Sequence, residues 1–196
     1  MKSKPIILVG GTAGTGKTTL TNYLVCKYNF DHRIGTGFIR EVARVYLPKQ
    51  EFQSIHCQTF SPKNDIDILT HYINQCKLLM RPINACINRA KNEGTSLIVE
   101  GSNLIPSNIE FANIDLFIIL TVSDRKILKK NLIGNTHKYR RITSTDFENI
   151  MKIQDYIIGL SNNIKSKKMI LIDNINPGAT KEKLESKFSS ISERIT

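Results

Sequence analysis

Apolar positions fall into short runs and long periodic stripes that alternate along the chain. Pro5 to Gly11, PIILVGG, is an aliphatic run closed by glycines, the pattern of a short buried strand. Thr18 to Tyr28 has helical character, and Arg33 to Thr36 is a weaker strand candidate. Ile39, Val42, Ala43 and Tyr46 recur at helical spacing, which predicts a helix over Phe38 to Tyr46 that Pro48 ends. Lys49 to Asn64 shows no clear period and carries Pro62, so it reads as a loop near the active face. The longest stripe is Leu69, Ile73, Cys76, Met80, Ile83, Ile87 and Ala90. It predicts helix over Asp65 to Glu93, with Pro82 dividing or kinking it.

The second half repeats the alternation. SLIVEG, ending in Glu100 and Gly101, and DLFIILTV, from Asp115 to Val122, read as strands. A run as apolar as DLFIILTV suits a parallel sheet covered on both faces. A basic segment from Arg125 to Arg141 follows, then a helical repeat of Ile150, Ile153, Ile157, Leu160 and Ile164. Met169 to Asp173 is the last strand, and Leu184, Phe188, Ile191 and Ile195 mark a terminal helix. Strands alternating with helices predict one α/β domain over 1–196, in three layers with right-handed crossovers.

Composition changes this picture little. The chain has 196 residues and is 40% hydrophobic, enough for a substantial core. No apolar run approaches the roughly 20 residues of a membrane span. The short apolar start runs directly into glycines and Lys17, so a cytoplasmic protein without membrane contact is expected. Cys26, Cys57, Cys76 and Cys86 have neither zinc nor CxxC spacing and read as buried thiols in a reducing compartment. The net charge of +11 favours anionic ligands, whether nucleic acid or phosphorylated metabolites.

The chemistry is carried by GTAGTGKTT, which comprises Gly11, Thr12, Ala13, Gly14, Thr15, Gly16, Lys17, Thr18 and Thr19. Gly11, Gly16, Lys17 and Thr18 occupy the fixed places of G-x-x-x-x-G-K-[ST]. Chance would produce the pattern in roughly one chain in a hundred, given glycine usage of about 7%. The predicted strand before it and helix after it supply the context that the motif requires. Glycines allow backbone N–H groups to turn onto phosphate oxygens, and the helix start adds its positive end. Lys17 would bridge the β- and γ-phosphates of ATP, and Thr18 would offer its hydroxyl to Mg²⁺.

Three further groups qualify as site residues. Glu100 ends a buried strand, where a carboxylate faces the ligand crevice and can orient Mg²⁺ or accept a proton. Arg40 and Arg44 lie one helical turn apart, so both can face an anionic acceptor or pair with Glu41. HKYRR, with Arg140 and Arg141, lies where a basic segment can close over phosphates or stay solvated.

These residues together resemble the archaeal 2-phosphoglycerate kinase family among the P-loop kinases. The resemblance rests on PIILVGGTAGTGKTT, FIREVARVY, NRAKNEGTSLIVEGSNLIP and KIQDYI, from Pro5 to about Ile158. It implies a five-stranded parallel sheet of order 2-3-1-4-5. It also implies phosphate transfer from ATP to 2-phosphoglycerate, with Arg40 holding the acceptor, Glu100 beside the metal and Asn103 lining the site. Two positions depart from the family pattern. Gly37 stands where an aspartate usually precedes I-R-E, and Asn103 where histidine is frequent. Longer family members carry an extra nucleotide-sensing region at the amino end, for which this chain has no room ahead of its first strand.

Other readings stay open at this stage. A nucleotide or a sugar acid is an alternative acceptor, and the charge admits a nucleic-acid-binding P-loop NTPase or polynucleotide kinase. A GTPase would want N-K-x-D, of which IDNIN is only a loose echo, and a transporter ATPase would want L-S-G-G-Q.

Overall fold

A computed structural model describes residues 4–62, 66–133 and 142–192. Five strands form one parallel sheet: β1 Ile6–Gly10, β2 His32–Gly35, β3 Leu97–Gly101, β4 Leu116–Thr121 and β5 Met169–Asp173. Their spatial order is 2-3-1-4-5, with β1 central, as expected. β1, β3 and β4 are almost wholly apolar because both faces are covered, whereas the edge strand β2 begins with exposed His32 and Arg33. Ile6 and Leu8 join one core with α4 and α6, while Ile7 and Val9 join the other with α1 and α7. The helices are α1 Lys17–Tyr28, α2 Thr36–Tyr46, α3 Gln53–His56, α4 Ile68–Glu93, α5 Arg125–Ile133, α6 Ser144–Asn162 and α7 Pro177–Ser192.

The structure refines the sequence expectations at three places. Of the two readings of Pro82 the undivided one holds, since α4 runs as one 26-residue helix with the proline inside it. Leu79 and Ile83, both fully buried, keep packing across the proline, so tertiary contact outweighs one lost backbone bond. The Lys49 to Asn64 segment contains the single turn α3. Finally, α2 does not bury the whole Ile39, Val42, Ala43, Tyr46 stripe. Ile39 packs inward, whereas Val42 and Tyr46 lie on an exposed face with Phe38 and Val45.

Local signals hold the elements at the sheet's carboxyl edge. Asp67 caps α4 by accepting from the Thr70 N–H at 2.9 Å. Thr143 and Asp146 form a reciprocal capping box at the start of α6. At Gly101 the chain passes so close to α2 that an added Cβ would lie 1.7 Å from Thr36 Oγ1. The glycine thereby lets the start of α2 sit directly beside the end of β3. Among the described residues, no helix is long and apolar enough to cross a membrane.

Candidate functional site

The loop from Gly11 to Gly16 wraps the carboxyl end of β1 and opens α1. Gly11 takes φ +128°, and a Cβ there would meet the Leu120 carbonyl at 2.1 Å, so no side chain fits. Side-chain bonds brace the loop from several directions. Thr15 Oγ1 donates to the Thr12 carbonyl at 2.9 Å, Asn174 Nδ2 to the Thr15 carbonyl at 2.9 Å, and Asn131 Nδ2 to the Gly14 carbonyl at 3.0 Å. Lys17 Nζ reaches back over the loop to the Thr12 carbonyl at 2.6 Å. Ala13 packs against the larger core, and Thr19 follows Thr18 on the first turn of α1.

Several features of this cradle fit a nucleotide phosphate chain. Glycines turn the backbone, a lysine ammonium lies across the loop, and an α-helix of 12 residues begins at its end. The buried Thr12 hydroxyl has no hydrogen-bond partner. Thr18 and Glu100 provide the oxygen donors that Mg²⁺ prefers.

Glu100 is buried at the end of β3 with 6% of its surface exposed. Thr18 Oγ1 donates to its Oε2 at 3.1 Å. Arg33, on β2, donates to Oε1 through Nε at 2.9 Å and also through Nη2. The sequence-expected pair of Thr18 and Glu100 is therefore brought together, with an arginine that the sequence did not single out.

A second polar cluster lies beyond the start of α2. Arg40, Arg44, His56, Cys57, Gln58 and Ser61 line an open cavity of about 360 Å³. Arg40 and Arg44 share that wall, and both also pair with Glu41, at 3.1 and 2.8 Å. Arg40 is 8% exposed, yet its Nε has no partner. Its Nη1 makes only long contacts, 3.4 Å to the Cys57 carbonyl and 3.5 Å to Thr59 Oγ1. A buried guanidinium this weakly satisfied is costly unless an anion completes it.

The cavity wall is fixed from behind. Gln75, fully buried on α4, donates to the Cys57 carbonyl at 3.2 Å and accepts from Thr59 Oγ1 and Asn103 Nδ2, each at 2.7 Å. Thr36 Oγ1 donates to Asn103 Oδ1 at 3.3 Å. The Asn103 amide is thus spent on joining α2, α4 and the turn after β3. His71 Nε2 donates to the Gln58 carbonyl at 2.9 Å. Burial pushes the His71 pKa below its ordinary value, with nearby Arg40 adding to the effect and the Gln58 bond opposing it. Thr59 and Phe60 in turn lie against Thr12 and Ala13, which links this wall to the phosphate loop.

Arg33, Gln75, His71 and Asn174 escaped the sequence reading. Gln75 alone left a signal, as a polar residue between Tyr72, Cys76 and Leu79 on the buried side of α4. Arg140 and Arg141 lie outside the described residues. Burial pushes the Cys76 thiol up to about 12, but the expectation of buried thiols is corrected at the other three: Cys57 and Cys86 are half-buried and Cys26 is exposed.

No family model matches the chain. Curated relatives do. The 2-phosphoglycerate kinase of Thermococcus kodakarensis is 29% identical over 171 residues, covering 80% of this chain and 58% of the relative. That of Pyrococcus horikoshii is 30% identical over 169 residues, covering 81% and 56%. That of Methanococcus maripaludis is 27% identical over 202 residues, covering 93% and 63%. The chain therefore spans little more than half the length of the first two and under two thirds of the third. Among solved structures, a sugar kinase from Janibacter superposes with TM-score 0.63 at 14% identity, covering 98% of this chain and 99% of that one. A shikimate kinase from Acinetobacter baumannii, in complex with shikimate, gives TM-score 0.58 at 12% identity, covering 98% and 96%. The chain has the P-loop kinase fold, and in sequence it is a relative of the archaeal 2-phosphoglycerate kinases.

Proposed function

We propose that the chain binds ATP with Mg²⁺ on the Gly11 to Thr19 loop and transfers the γ-phosphate to a small anion held by Arg40 and Arg44. The acceptor we assign is 2-phosphoglycerate, which would give 2,3-bisphosphoglycerate. The observation that carries the reading is Arg40: a buried guanidinium with an unpartnered Nε, on the wall of a cavity whose chain segment continues through Thr59 and Phe60 to the side of the phosphate loop. A cavity of about 360 Å³ is of small-ligand size, and two guanidiniums can grip a phosphate and a carboxylate together.

Within this reading each residue has a distinct task. The loop amides and Lys17 hold the phosphates, and Lys17 offsets charge as the phosphoryl group moves. When bound, Mg²⁺ neutralises the phosphate oxygens, with Thr18 and Glu100 as its protein partners. Arg40 and Arg44 orient the acceptor, while Asn103 supports their wall through Gln75. Arg140 and Arg141 are assigned to closing over the phosphates. The names of the curated relatives favour 2-phosphoglycerate over a sugar acid or a nucleotide.

The test is ADP release by purified protein with ATP and Mg²⁺ across 2-phosphoglycerate, 3-phosphoglycerate, a sugar acid, a nucleoside monophosphate and a polynucleotide. Stimulation by 2-phosphoglycerate above the rest supports the assignment. Stimulation only by another acceptor overturns the substrate and leaves the kinase reading standing.

A further inference from the structure

Arg33 belongs to no motif in the sequence, yet it makes the closest contact to the candidate metal-side carboxylate. It pairs in register with Ile98, two residues before Glu100 on the neighbouring strand. Residues two apart on a strand share a face. Ile98 packs into the core with Leu20 and Leu24 of α1, so Glu100 and Arg33 lie on the side of the sheet that α1 covers. From there the long Arg33 side chain runs along the sheet to Glu100 Oε1, bonding it through both Nε and Nη2. Its remaining terminal nitrogen, Nη1, donates to Asn22 Oδ1 on α1.

The two carboxylate oxygens are therefore used differently. Oε1 is held by two guanidinium N–H groups that converge on it, a charge-assisted contact that fixes the position of this oxygen. Oε2 faces the start of α1, where Thr18 Oγ1 donates to it at 3.1 Å. We propose that Arg33 is a positioning residue, locking Glu100 so that Oε2 serves Thr18 and the metal accompanying the nucleotide. The inference rests on the reading of the loop as an ATP–Mg²⁺ site. It assigns Glu100 to the metal side and takes Oε1 out of use as a proton acceptor. Asn22 completes the arrangement by tying the guanidinium to the same helix that carries Thr18.

The signature is specific to magnesium. Nucleotide bound without metal is held by the loop amides and Lys17, so its affinity should not depend on Arg33. The experiment titrates a fluorescent ATP analogue into the protein, once in excess Mg²⁺ and once in EDTA, with no acceptor present. In the wild type Mg²⁺ tightens binding. In Arg33→Ala that enhancement should fall about tenfold or more, while affinity in EDTA stays within about twofold of wild type. Arg33→Lys keeps the charge but loses the two converging guanidinium N–H groups, and should fall between the two. Asn22→Ala should shift the enhancement in the same direction by less. An unchanged enhancement in Arg33→Ala overturns the inference while leaving the nucleotide site intact. If Arg33→Ala does not fold, wild-type enhancement in both Arg33→Lys and Asn22→Ala overturns it equally. A wild-type protein that binds the analogue with no response to Mg²⁺ overturns the metal reading itself, and the inference with it.

Discussion

At the scale of single residues, the account makes separable demands on Lys17, Arg40 and Gly37. Lys17 lies over the loop on the Thr12 carbonyl, at the place proposed for the phosphates. Lys17→Ala should cut turnover by about a hundredfold or more, with an unchanged circular dichroism spectrum and melt. Turnover within about threefold of wild type would remove Lys17 from the chemistry. Arg40→Ala should raise the acceptor KM by about tenfold to a hundredfold, the worth of a charge-assisted bond of about 1.5–3 kcal/mol. The KM for ATP should move by far less, and an equal rise in both would mean that Arg40 only holds the wall together. Gly37 sits in the first turn of α2, where an added Cβ meets nothing within 4 Å. Gly37→Asp restores the acid typical of the family, removes a helical glycine and places negative charge at a helix start. Each change is favourable, so the variant should gain about 1 kcal/mol, seen as a melting rise of about 2–4 °C. A lower melting temperature would show that the space is needed for something else. The phosphate loop was legible because its chemistry is contiguous. The Arg33–Glu100 pair was not, because 67 positions separate its members and only the β2–β3 register joins them.

At the scale of elements, strands read more clearly than helix faces. A strand buried on both sides is a dense apolar run, and β1, β3 and β4 each show one. In α2 the apolar residues share one side of the helix, yet Phe38, Val42, Val45 and Tyr46 are exposed and Thr36 and Arg40 are buried with Ile39, so spacing revealed a helix without revealing which side meets the core. Nor did periodicity show that α4 would continue through Pro82, since the packing of Leu79 and Ile83 decides that. The link between β2 and β3 offers a test at this scale. Asp31, just before β2, accepts from the Ser96 N–H at 2.8 Å and Ser96 Oγ at 2.7 Å, and pairs with Lys4 at 3.1 Å. The Ser96 bonds, chiefly the backbone one, hold its carboxyl down at about 2 against an ordinary 3.8. A folded-state pKa below the unfolded one means that the ion adds stability above the unfolded value. That contribution is lost as pH falls through the folded one. The stability gap between wild type and Asp31→Asn should therefore be constant above about pH 5 and close between about pH 4 and pH 2. Denaturant melts across that range check it, and a gap unaffected by acid would refute the link.

At the scale of the whole molecule, the topology explains why one short motif organises so much. With β1 central in the order 2-3-1-4-5, the phosphate loop emerges at the middle of the sheet. β3 delivers Glu100 on one side of it, and Asn174, just after β5, braces it from the other. Topology also brings α2 and the turn after α3 together as the wall proposed for the acceptor; spacing announced the α2 arginines, and no local pattern announced the turn. The order of the sheet came from family resemblance, while the alternation of elements came from the residues themselves. The acceptor is the claim with most at stake, because Gly37 stands where the family resemblance leads to an acid. It is tested most directly by ³¹P NMR of purified protein incubated with ATP, Mg²⁺ and 2-phosphoglycerate. The account predicts stoichiometric conversion to ADP and a second phosphate ester on the glycerate, absent with Lys17→Ala. ATP and 2-phosphoglycerate persisting unchanged, under conditions where another small anion is phosphorylated, would contradict it.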